Sequence, residues 1–252
     1  MSLLGTYTLF SKEIRRFGKV AAQTLLAPAI MASLYLLIFS HLLEERVPKP
    51  GVRYEVFLIP GLMMMTLIQN AFANSSASLI QSKVTGNLVF VLLAPLSPAE
   101  ILVAFVLAAV VRGCVVGAVV YLVSCLVVDV EVFRFGYVVA FALLAGAVMG
   151  TLGFLAALWA ERFDQVAAFQ SFVVVPLSFL SGVFYSVDSL PAFWQRASRL
   201  NPFFYMVDGF RYGFIGRSDI APTTSLVIVA GFLLLIASFT VWLVDRGYRI
   251  RS

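Results

Sequence analysis

Arg112 is the residue whose setting most invites chemistry: a lone cation midway along the apolar run 101–127. An uncompensated Arg at membrane depth costs several kcal/mol, so it must have an answer in the fold. Two answers are open. Arg112 faces a cavity, where it contacts cargo or a gate, or it pairs with carbonyls and polar side chains of a neighbouring helix. A second polar feature lies in the preceding apolar run, which holds Gln69, Asn70, Asn74, Ser75, Ser78 and Gln81. Asn70, Asn74, Ser78 and Gln81 follow one another at helical spacing and form one stripe, which in lipid must face protein or water. Hydrogen bonding between helices and the lining of a translocation path both fit it.

The usual catalytic constellations are missing. The Gly18–Lys19 pair runs into Val20 and opens no phosphate-binding loop. There is no HExxH, no Cys/His cluster and no nucleophile elbow, so no catalytic, cofactor or metal site is expected in this chain. Cys114 and Cys125 are eleven residues apart on one apolar run, about 16 Å along a helix, too far to bridge. They read as small hydrophobes. His41 stands where the first apolar run ends, and interfacial snorkelling accounts for it. The spans hold no file of Asp, Glu or His such as proton-driven transporters use. Any energy source must lie in a partner, or transport is passive.

The elements that must position these residues are membrane helices. Hydrophobic residues make up 61% of the chain and charged residues 12%, against about 45–50% and about 25% in soluble domains. The fold class is therefore all-α integral membrane, a single domain over 1–252. Apolar runs at about 21–42, 56–80, 101–127, 135–160, 166–186 and 224–244 predict six transmembrane helices. Residues 1–20 place Leu3, Tyr7, Phe10, Ile14 and Phe17 on one face, with Lys12, Arg15, Arg16 and Lys19 on the others, predicting an amphipathic interface helix. Those tail cations, with Arg246, Arg249 and Arg251 at the other end, place both termini in the cytoplasm. The basic residues hug span ends and form no stripe with exposed aromatics, so orientation in the bilayer explains them and nucleic acid is not a partner. Ala142, Gly146, Gly150 and Gly153 give the fourth span a small-residue surface suited to close helix packing.

Two connecting segments are unusual. The link after span two, centred on 84–95, is cytoplasmic in this topology yet strongly apolar, and it is bounded by Gly86–Asn87 and by Pro95 with Pro98. An apolar element on the watery side wants a partner surface; folding against the membrane or its own chain is the other option. Residues 176–215 read PLSFLSGVFYSVDSLPAFWQRASRLNPFFYMVDGFRYGFI. Prolines and glycines divide this aromatic stretch into short helices, and broken backbone at membrane depth must be buried in protein or line water.

These features together resemble the permease subunits of ABC type-2 exporters. The local sequences FLIPGLMMMTLIQNAF (57–72), SLIQSKVTGNLVFVLLAPLSPAE (78–100) and the 176–213 segment carry the likeness. The resemblance implies a permease without a nucleotide site, two copies of which assemble with two ATP-binding cassette ATPase subunits. ATP and Mg belong to that partner. It implies a coupling helix around 85–95, with Thr85, Asn87, Leu88, Phe90, Leu92 and Leu93 seated in the ATPase, and an interface helix touching the same subunit. Residues 187–215 would re-enter from the outer side of a bacterial inner membrane. The residues that would line or gate the path are Asn70, Asn74, Ser78, Arg112, Phe193, Trp194, Phe204 and Tyr205, although interfacial anchoring explains the aromatics equally well. The implied function is export of an amphipathic, lipid-linked or drug-like substrate. The alternative is an autonomous channel or passive carrier, for which an apolar cytoplasmic link has no use. A lipid-modifying enzyme is disfavoured, since nothing gathers an acid, a base and a nucleophile.

Overall fold

A computed structural model describes residues 3–43 and 53–248, and among these every regular element is helical. The chain runs through Leu3–Lys19 (α1), Ala21–Leu43 (α2), Tyr54–Val84 (α3), Leu88–Leu93 (α4), Pro98–Cys125 (α5) and Phe135–Trp159 (α6). Phe163–Phe169 (α7) passes through a π turn at Gln170–Val174 into Val175–Phe179 (α8). A 3-10 turn at Val187–Ser189 precedes Ala192–Leu200 (α9), Pro202–Ile215 (α10) and Pro222–Asp245 (α11). The expected interfacial role of the His41 side chain, and the tail cations Arg249 and Arg251, lie outside the described residues.

Among the described residues five helices, α2, α3, α5, α6 and α11, are long and apolar enough to cross a bilayer. The expected fifth span, 166–186, is helical only over Phe163–Phe179. Seventeen residues rise about 25 Å against a hydrocarbon core of about 30 Å. The reason is local. Pro176 has no N–H, and its ring crowds the carbonyl four residues back. The backbone widens ahead of it, and the Val175 N–H donates to the Gln170 carbonyl five residues earlier. Gly182, at φ 78, then turns the chain out of the helix. This segment nevertheless runs the length of α3 in the opposite direction. Phe169 stacks on Phe72 with ring centroids 5.7 Å apart, and the Phe184 carbonyl accepts from the Tyr54 hydroxyl at 3.0 Å.

The centre of the molecule is α3. The most apolar window of α3 is 72% buried, whereas those of α2 and α11 are only 22% buried and present their apolar faces outward. Lipid tails supply no hydrophobic drive between helices, so close packing must do the work. The small-residue face of α6 provides it. Gly146 lies against Val110 and Gly150 against Ala109, both on α5, while a methyl group at Gly153 would strike the Phe72 backbone of α3. The entry to α5 is fixed by its own sequence. Ser97 Oγ accepts from the Glu100 N–H at 3.3 Å and Glu100 accepts from the Ser97 N–H at 2.8 Å, with Pro98 opening the helix.

The segment after α8 folds into a helical hairpin. Asn201 joins α9 to α10: its side chain accepts from the Phe203 N–H at 3.0 Å and donates to the Leu177 carbonyl of α8 at 2.7 Å. Both polar halves of that side chain thus satisfy backbone groups in a buried turn. From there α10 climbs to the start of α6, where the Gly213 carbonyl accepts from Arg134 N at 2.8 Å. The Phe141 ring lies directly on Gly209, and any side chain there would displace it.

Candidate functional site

The face of the molecule carrying Lys83 and α4 gathers most of the residues singled out in the sequence. At the end of α3, the Thr85 and Gly86 N–H groups close onto the Gln81 and Lys83 carbonyls, and Gly86 takes φ 73, which glycine alone adopts without strain. Thr85 Oγ1 donates to the Gln81 carbonyl at 2.8 Å, and Asn87 Nδ2 donates to Thr85 Oγ1 at 3.0 Å. The two polar members of the expected coupling set therefore build the turn. The apolar members follow in α4. Leu88 points inward at 7% exposure, while Phe90 (72%), Leu93 (76%), Val89 and Leu92 are exposed. A six-residue helix cannot hold itself together in water, and this one presents an apolar outer surface.

Its position is fixed by Lys83. The ammonium donates to the carbonyls of Ala160, Leu158 and Ala157 at 2.7, 2.9 and 3.3 Å, the last turn of α6. Between α1 and α4 opens a cleft of about 890 Å³, with Lys12, Arg16 and Lys19 on one wall and Gln81, Phe90 and Val91 on the other. Ser78 also lines it.

The polar stripe of α3 turns toward α1. Arg16 donates to the Asn74 carbonyl at 2.8 Å and to Asn74 Oδ1 at 3.1 Å, and its Nε donates to Glu13 at 3.2 Å. Glu13 is fully buried and also faces the Lys12 ammonium at 3.6 Å. Arg112 donates to Asn70 Oδ1 at 3.3 Å and lies 5.8 Å from the centre of the Phe17 ring. Asn70, Asn74 and Arg112 are thus brought together, joined by Glu13, Arg16 and Phe17. The packed stripe of α1 is Leu9, Glu13 and Phe17, while Leu3 and Tyr7 remain exposed. Sequence reasoning placed Phe17 among the apolar face and missed Glu13. The available signal was spacing: Glu13 is the only acid in α1 and sits four residues from both Leu9 and Phe17.

The aromatic gate candidates separate. On α9, Phe193 (72% exposed) and Trp194 form an edge-to-face pair at 5.3 Å. On α10, Phe204 is buried and Tyr205 donates its hydroxyl to the Arg199 carbonyl at 2.7 Å. The α9 pair is exposed, Tyr205 is half-buried and Phe204 is buried.

A second polar node, unanticipated in the sequence, holds the hairpin to the Tyr54 end of α3. Arg211 is buried, donates to the Gly182 and Val183 carbonyls at 2.7 and 3.3 Å, and lies 3.9 Å from the centre of the Phe57 ring. One turn away, Asp208 accepts from the Asp219 and Ile220 N–H groups at 2.8 and 3.1 Å. Asp219 in turn accepts from the Ser186 hydroxyl at 3.0 Å and the Val187 N–H at 3.1 Å. Among the described residues, one end of the molecule thus carries an exposed apolar turn on α4 and the other a hairpin held by buried charged side chains.

Comparison with known proteins agrees with the geometry. The family model described as ABC-2 type transporter matches residues 5–215. The chain is 36% identical over 246 residues to the inner membrane transport permease YadH of Escherichia coli (strain K12), covering 97% of this chain and 96% of that protein. It is also 32% identical over 74 residues to nodulation protein J of Rhizobium leguminosarum bv. trifolii, 29% of this chain and 28% of that one.

Proposed function

This chain belongs to the ABC-2 type transporter family, and on that premise we propose that it is the membrane-spanning permease subunit of an ATP-driven exporter. Two copies form the path, and two separate ATP-binding subunits carry ATP and Mg and drive it. The chain crosses the inner membrane six times, the sixth crossing being the kinked α7–α8 segment, with both termini in the cytoplasm. The α9–α10 hairpin re-enters from the outer side. The cargo class is amphipathic, because the exposed side chains of α9 pair Phe193 and Trp194 with Arg196 and Arg199.

The observation that carries this reading is α4. An exposed apolar turn of helix, fastened at its base to the ends of α3 and α6, has no role in a self-sufficient channel. It has one as a knob that a second protein seizes and moves. The test is co-purification from native membranes in mild detergent. Wild-type chain is expected to retain an ATP-binding subunit at equal stoichiometry with ATPase activity. Leu93→Arg is expected to insert normally and lose that subunit. Retention of the partner by Leu93→Arg would refute docking through α4, and a chain that emerges alone as an oligomer would favour the autonomous channel.

A further inference from the structure

The Lys83 ammonium has three N–H donors, and three carbonyls at the end of α6 receive them at 2.7, 2.9 and 3.3 Å. Those carbonyls are the ones a helix leaves without internal partners, and they carry the negative end of its dipole. A cation placed there is a strong, directional fastening. Ala160, one of the acceptors, is fully buried and accounts for the exit of the chain from α6. Only Glu161 and Arg162 then separate it from Phe163, the first residue of α7.

On the other side, Lys83 lies in the last turn of α3 and leads into α4 through a turn with little slack. That turn is closed by the Gly86 N–H on the Lys83 carbonyl itself, by Thr85 on Gln81 and by Asn87 on Thr85. Lys83 is therefore the point where the base of α4, the end of α6 and the start of the π-kinked fifth segment meet. We propose that Lys83 is the positioning residue through which displacement of α4 is carried to α6 and α7. Without it, α4 would move alone and the fifth segment would stay still. This inference rests on the reading of α4 as the docking element, and goes beyond it by naming the residue that passes the motion on.

The experiment uses the complex of the chain with its ATP-binding subunit, reconstituted in nanodiscs in a Cys114→Ser, Cys125→Ser background. Spin labels are placed at Val89→Cys on α4, an exposed position outside the expected docking set, and, in a separate sample, at Phe163→Cys on α7. Each is paired with Leu122→Cys near the far end of α5; all three sites are exposed. Pulsed distance measurements compare the nucleotide-free complex with Mg–ATP trapped by vanadate. In the wild type both distances are expected to shift. In Lys83→Met the Val89 distance still shifts and the Phe163 distance does not. Lys83→Arg, which keeps several donors on the same carbonyls, restores the Phe163 shift. A residue that merely stabilised α6 would, on substitution, lower stability without separating the two shifts. If Lys83→Met does not insert, Lys83→Gln, with two donors, is expected to reduce the Phe163 shift alone. A full Phe163 shift in Lys83→Met or Lys83→Gln overturns the proposal. A wild-type complex in which the ATPase binds but Val89 does not move removes the docking reading, and this inference with it.

Discussion

Arg211 shows most clearly how a residue's meaning depends on what folds around it. In the sequence it is one more cation in an aromatic segment, indistinguishable from Arg196 or Arg199 earlier in the same stretch. In the fold it is buried, with two carbonyls of the α8 exit as acceptors and the Phe57 ring beneath it. Replacing it with Met would strip two charge-assisted hydrogen bonds and leave the Gly182 and Val183 carbonyls without that donor. The expected loss is about 2–3 kcal/mol, read as a lower unfolding temperature of the detergent-solubilised chain. Arg196→Met on exposed α9 should leave that temperature unchanged. The stripe of α3 was more legible. Its helical spacing placed Asn70 and Asn74 on one face, and Arg112 demanded a polar neighbour. That the neighbours are Asn70 and the α1 ring of Phe17 could not be read, because the docking of α1 into the α3–α5 groove is a tertiary choice. Glu13 had only its spacing from Leu9 and Phe17 to mark it, because an acid among four cations reads as solvated until burial shows otherwise.

At the scale of elements, Gly86–Asn87 and Pro95 punctuate a short apolar run in the sequence, and α4 stands within it at Leu88–Leu93. What pattern could not give was which side faces in, because six residues hold too few turns to define a face. The burial of Leu88 beside the exposure of Leu93 separates two effects that would otherwise look alike. Leu88→Arg puts an unpaired charge into packed surroundings and is expected to destabilise the chain itself, by about 3 kcal/mol or more. Leu93→Arg should leave the unfolding temperature as it was. Thermal unfolding of the two variants purified without any partner checks this, and equal losses would mean that α4 is packed on both faces. The fifth segment was the poorest forecast. Hydropathy makes 166–186 one apolar run, while Pro176 and Gly182 already mark breaks near its end; the widening that Pro176 imposes on Gln170–Val174 was not legible. Leu180, Val183 and Phe184 are as apolar as any span residue, yet they lie in a turn.

The whole molecule turns on that segment. Five long helices alone would leave the two tails on opposite sides of the membrane, whereas a crossing by α7–α8 brings them together. The internal geometry favours the crossing. Lys83 binds the end of α6 beside the start of α7, and Tyr54, at the opposite end of α3, binds the Phe184 carbonyl beyond α8. If a segment fastened at both ends of a helix about 46 Å long crosses despite its own short rise, α3 must project beyond the bilayer. Cysteine labelling decides it. Cys125 ends α5 on the side away from α4 and is exposed, so a membrane-impermeant maleimide added once the outer barrier is opened should reach it in intact inner membranes. Arg162→Cys between α6 and α7, an exposed position, and Tyr248→Cys after α11, each in a Cys114→Ser, Cys125→Ser background, should react only when the inner membrane is opened. The pair is informative because the two sites depend on different numbers of crossings. Arg162 reports only the helices before it, whereas Tyr248 also inherits the sidedness of the α7–α8 segment. Labelling of Tyr248→Cys from outside, with Arg162→Cys still protected, would mean that the kinked segment turns back, and that a Pro-widened helix of this length dips into the bilayer without crossing it.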